Sequence, residues 1–168
     1  MARTRHMRNA EMFSSRLKKL LVIVAGAFVA AALIVPTSAS AANAQWTVNA
    51  YSGSTLRAKA YGDFANNGGV YATAGINYVD MLNNGNPVFV EVHWSFWRTP
   101  VGGSNPVWIA EEKYKQTART ERMKYVPTSL SKGLRSDSNR VRAIITVCED
   151  RNLNFDICSD PAIVAFDY

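Results

Sequence analysis

Six residues have the types and the spacing to form a recognition surface: Arg57, Tyr61, Asn77, Glu91, His93 and Trp97. Together they offer aromatic faces beside guanidinium, amide, carboxylate and imidazole groups. A sugar ring suits such a surface, since its apolar face stacks on an aromatic while its hydroxyls hydrogen-bond. A protein partner suits it too, because Trp, Tyr and Arg concentrate binding energy at interfaces. The same groups paired across strands would also stabilise the solvent face of a sheet without binding anything.

Catalysis draws less support. His93 is the one histidine beyond the N-terminal segment, and it falls inside a strand-like run, whereas catalytic groups favour loops. No Ser-centred elbow, His-Glu-x-x-His helix or phosphate-cradling glycine loop occurs. Glu111 and Glu112 are adjacent, so a strand would send them to opposite faces, and Asp150 and Asp156 flank a turn. Neither pair has the facing arrangement of a glycosidase. One histidine and two cysteines ten positions apart match no zinc spacing, so no metal or other cofactor is expected. No catalytic residue is assigned, and the chain reads as non-enzymatic.

Charge points first towards nucleic acid and then away from it. The 168 residues carry a formal net charge of +6, but residues 1–44 hold six basic side chains against Glu11 alone, a net +5, which leaves +1 for the other 124. The one local basic run, 113–124, is offset by Glu111, Glu112 and Glu121 and reads as a solvated strand pair. A nucleic-acid partner is therefore not expected.

The N-terminal segment has the three parts of a secretory signal peptide. Arg16, Lys18 and Lys19 precede an uninterrupted apolar run over 20–35; Pro36 then breaks the helix ahead of a small-residue stretch ending Ala42-Asn43-Ala44. Cleavage is expected between Ala44 and Gln45, with an earlier alternative after Ala41. The apolar run holds 16 residues, short of the roughly 20 that span a bilayer, so no stable membrane span is expected in the mature form. The expected domains are a cleaved signal peptide, 1–44, and a single secreted β domain, 45–168. Export places Cys148 and Cys158 in an oxidising compartment, where one disulfide is predicted. With those two facing, Arg151 faces Phe155 and residues 152–154 form the loop of a stapled hairpin.

The elements that must position these groups are strands. Short runs rich in Val, Ile, Thr, Tyr and Trp alternate with Gly/Asn/Pro/Ser clusters, and no helical period is sustained. Strands are predicted near 46–51, 55–64, 70–80, 88–98, 107–118, 120–126, 140–149 and 157–167, with 131–139 a polar loop. The class is all-β: an antiparallel β-sandwich, immunoglobulin-like or similar, of seven to eight strands, with a barrel as second choice. Even-numbered residues face inward in 55–64, 70–80 and 88–98, and odd-numbered ones in 141–147. Pairing consecutive strands as hairpins sets Tyr78 opposite Val92 and Leu56 opposite Tyr78. Arg57, Asn77 and His93 then form one outer row with Glu91 nearby, and Tyr61, Thr73 and Trp97 form the next.

The stretch Val141-Arg142-Ala143 to Val147-Cys148-Glu149-Asp150, closed by Cys158-Ser159, together with the N-terminal segment, resembles the C-terminal hairpin of small secreted actinobacterial proteins of unknown function. That resemblance implies export, a β-sandwich and a disulfide, and no activity. The leading expectation is a binding or cell-surface interaction module for cell-wall glycan or another secreted or surface protein. The alternative is a secreted inhibitor or toxin-like effector acting through loop 99–106 or 128–139.

Overall fold

The computed structural model describes residues 43–152 and 154–168. Residues 1–42 of the expected signal peptide lie outside the described residues, while the expected cleavage bond, Ala44–Gln45, falls at the start of the first strand, Ala44–Ser52. No helix among those described is long and apolar enough to cross a membrane.

Among the described residues ten strands form two antiparallel sheets. In the first, β1 (Ala44–Ser52), β2 (Thr55–Asn67), β3 (Tyr71–Asp80) and β7 (Val126–Gly133) lie in the order β1-β2-β3-β7. In the second, the order is β10-β8-β4-β5, from β4 (Val88–Arg98), β5 (Val107–Ala110), β8 (Arg140–Glu149) and β10 (Ala162–Asp167). Two short strands complete it: β6 (Lys115–Gln116) pairs with β4, and β9 (Ile157–Cys158) with β8. The sheets share one core, so the all-β sandwich expected from the alternation is what forms.

That core is built by the predicted parity. Ala58, Ala60 and Phe64 of β2 and Ala72, Ala74, Ile76 and Tyr78 of β3 meet Val88, Val90, Val92, Trp94 and Phe96 of β4 and the odd residues 141–147 of β8, all buried. Small alanines on one sheet leave room for Trp94 and Phe96 from the other, as close packing requires.

Pairing departs from expectation in three places. First, β3 and β4 are not a hairpin: β3 lies between β2 and β7, while β4 lies between β8 and the β5/β6 edge. Residues 81–87 carry the chain from one sheet to the other, so Tyr78 and Val92 face each other's sheet instead of pairing side by side. Alternation assigns a residue to the core face, and that holds equally for a strand beside its neighbour and a strand stacked over it.

Second, Ala60, not Leu56, is opposite Tyr78. The turn centres on Gly69, because Gly68 and Gly69 take φ of 65° and 71°, a conformation that glycine adopts without steric cost. Third, the predicted strands 107–118 and 120–126 reduce to β5 and β6, while β7 runs through residues taken as loop. β7 is an edge strand, where Pro127 costs no ladder bond, and only Leu130 and Val126 pack on the core.

The disulfide Cys148–Cys158 is formed, with Glu149 opposite Ile157 as the hairpin register requires. The predicted final strand, 157–167, is divided. Cys158 pairs with Cys148 but Ala162 pairs with Ile145, a one-residue slip across Ser159-Asp160-Pro161. Pro161 has no N–H to continue the ladder. Ser159 bridges the slip by donating its N–H to the Val147 carbonyl (2.9 Å) and accepting the Val147 N–H on Oγ (3.2 Å).

Candidate functional site

The predicted six-residue surface is divided between the two sheets. Tyr61 and Asn77 are cross-strand neighbours on the outer face of the first sheet, where Tyr61 makes an edge contact with Tyr125 (ring centroids 5.0 Å apart). Arg57 reaches the end of the sandwich, its Nη1 3.8 Å from the buried Glu149 carboxylate. Glu91, His93 and Trp97 lie on the outer face of the second sheet. The rows joining Asn77 to His93 and Thr73 to Trp97 do not exist, because β3 and β4 never pair. Thr73 instead faces Ser131 of β7, their hydroxyls 2.9 Å apart.

On the second sheet, odd residues of β4 and β10 and even residues of β8 point outward. At one end Glu91 accepts from Gln116 Nε2 (2.8 Å) and pairs with His93 Nε2 (2.5 Å), while Tyr114 stacks on the His93 ring at 4.9 Å. The Glu91 carboxylate, His93 Nε2 and the Gln116 side-chain N–H are thus partnered within the chain. Among the described residues no third metal-ligating side chain accompanies them.

At the other end Trp97 is directly opposite Trp108 of β5, with ring centroids 5.4 Å apart in an edge arrangement. Arg140 lies 5.6 Å from the Trp108 centroid and 6.0 Å from that of Trp97, and Arg142 lies 4.8 Å from Trp108. These are cation–π distances. Arg140 also donates to Asp167 of β10 at 2.6 Å.

Beside Trp97 is an open groove of about 480 Å³, lined by Trp97, Arg98, Thr99, Pro106, Ser136, Asp137, Ser138 and Asn139. Its wall away from Trp97 is the loop between β7 and β8. Ser138 fixes that loop: its Oγ lies within hydrogen-bond distance of the carbonyls of Trp97 (3.0 Å) and Arg140 (2.8 Å), which share its one donor hydrogen, and accepts from the Arg140 N–H (3.3 Å). Asp137 takes two hydrogen bonds from Arg135 (2.8 and 3.1 Å) and one from Arg98 (3.2 Å). Those from Arg135 above all, then those from Arg98, hold its carboxyl down at about 2 against an ordinary 3.8. The groove thus presents one indole wall, hydroxyl and amide groups, and an ionised acid held in place by two arginines.

Trp108, Asp137, Arg140 and Arg142 were missed in the sequence. The outward parity of Arg142 was legible from its inward neighbours Val141 and Ala143; what the pattern lacked was which strand lies beside which. Segment 128–139, considered as an effector loop, is strand β7 in its first half, 128–133, and the groove-lining loop in its second. Segment 99–106 is a loop, with Val101 fully exposed at its tip. No protein-family model matches the chain, and no curated protein or solved structure matches it.

Proposed function

We propose that this chain is an exported, non-enzymatic binding module whose ligand is a glycan held in the groove beside Trp97. The observation that carries the reading is the composition of that groove: a single indole wall facing hydroxyl, amide and carboxylate groups from Thr99, Ser136, Asp137, Ser138 and Asn139. A sugar needs that division, an aromatic plane for its C–H face and hydrogen-bonding groups around its rim. Trp108 extends the aromatic surface along the same row, so the site accepts more than one ring. Of the residues expected from sequence, Trp97 belongs to this site, His93 and Glu91 lie on the same sheet face, and Tyr61, Asn77 and Arg57 do not contribute.

Glycan-array screening followed by calorimetry on the best ligand tests it. Trp97→Ala weakens binding at least about tenfold, the loss expected when a stacked aromatic is removed. Tyr61→Ala, on the other sheet, leaves affinity unchanged. Equal affinity of Trp97→Ala and the wild type would remove the groove from the account.

A further inference from the structure

Resting on the glycan reading, we infer that the bound glycan is acidic, with a sugar carboxylate read by Arg142. The arginines around the site differ in one respect. Arg98 and Arg135 share Asp137, and Arg140 is paired with Asp167. Arg142 has no carboxylate within ion-pair distance among the described residues, and its buried Nε has no hydrogen-bond partner. Its guanidinium instead rests over Trp108 at 4.8 Å. Stacking uses the flat face of a guanidinium and leaves its edge, with the Nη donors, for a planar acceptor.

Its position supplies the geometry. Arg142 is opposite Ser95 on β4, two residues along the strand from Trp97, so its row lies about 7 Å from the Trp97–Trp108 row. A ring stacked beside the tryptophans thus leaves a carboxylate on the same or the next sugar within reach of Arg142. A neutral glycan would leave the Arg142 guanidinium without an acceptor; a uronic acid supplies both the charge and the paired oxygens.

Matched oligosaccharide pairs test the inference: oligogalacturonate, oligoglucuronate and oligomannuronate, each beside its carboxyl-reduced neutral counterpart, titrated into the wild type, Arg142→Gln and Arg142→Lys. The acidic member of at least one pair binds about ten- to a hundredfold more tightly to the wild type. Arg142→Gln erases the difference, and Arg142→Lys restores it in part. A thermal melt of each variant confirms that the fold is kept. Equal binding of acidic and neutral members would overturn the acidic ligand and leave the glycan reading standing. No binding in any pair overturns the acidic ligand as well, and no binding by a neutral array glycan either would remove the glycan reading with it.

Discussion

Two glycines diagonally across β2 and β3, Gly62 opposite Ile76 and Gly75 opposite Asp63, make a sharp test of the fold. Gly62 points inward and Gly75 outward. A Cβ on Gly62 would overlap the Gly75 carbonyl oxygen, with that carbonyl carbon at 2.8 Å and Trp46 Cζ2 at 2.9 Å. Carbon atoms want about 3.5 Å or more, so the Trp46 ring would have to retreat by about 0.6 Å, and β3 by more than the roughly 0.7 Å its carbonyl carbon needs because the overlapping oxygen is closer still, inside a close-packed core. Overpacking of this kind costs about 1–3 kcal/mol, and two weakened ladder hydrogen bonds add about 1 kcal/mol each. Gly62→Ala should therefore lose about 3–5 kcal/mol, a large part of the roughly 5–15 kcal/mol that holds a domain together. A Cβ on Gly75 would meet only the carboxylate end of Asp63, which can swing into solvent. Gly75→Ala also gains about 0.5–1 kcal/mol from a stiffer unfolded chain, so it should stay within about 1 kcal/mol of the wild type. Urea unfolding followed by tryptophan fluorescence measures both. A Gly62→Ala variant within 1 kcal/mol of the wild type, or equal damage from both substitutions, would refute the close approach of the two strands.

Two further outcomes follow from buried groups. Replacing Cys148 and Cys158 together by Ala opens the loop across a separation of ten residues, and chain entropy sets the loss at about 2.7 kcal/mol, with a little more from Cys148, which is buried. A loss under 1 kcal/mol in urea unfolding would contradict that. Burial, and then the nearby charges of Glu149 and Glu121, raise the Asp80 carboxyl above its ordinary 3.8. Protonation is therefore favoured in the folded state, and the stability it gives is present below about pH 3.8 and lost as the pH rises through the folded value. Asp80→Asn, which keeps an oxygen for the Leu82 N–H, should gain on the wild type as the pH goes from 3 to 7. A gain that shrinks over that range would reverse the assignment.

Most of the core was legible because period-2 alternation depends only on each strand's own sequence. Val88 to Phe96 announces its inward face whatever lies beside it, and so does Val141 to Val147. Neighbourhood was not legible, since it depends on the path of the chain. Residues 81–87 could have closed a hairpin or crossed between sheets, and the alternation of β3 and β4 satisfies both. The six expected site residues were each placed on an outward or end position, yet the constellation required β3 beside β4 and broke when β8 took that place. β7 escaped notice because an edge strand with one core-facing leucine carries almost no hydrophobic signal. The Cys148–Cys158 bond was legible because these are the chain's only two cysteines, and the slip at Pro161 went unseen because it depends on Ser159 replacing a ladder acceptor.

The central claim is that the outer face of the second sheet, and not that of the first, takes the ligand. Two-dimensional 1H–15N NMR of the 45–168 domain, titrated with the best glycan from the array, reads this directly through the indole N–H signals. The account predicts that Trp97 and Trp108 shift together with the backbone amides of Ser136, Asp137, Ser138 and Asn139, while Tyr61, Asn77 and Tyr125 stay still. Shifts confined to the Tyr61–Tyr125 face, with the Trp97 indole unmoved at saturation, would contradict it.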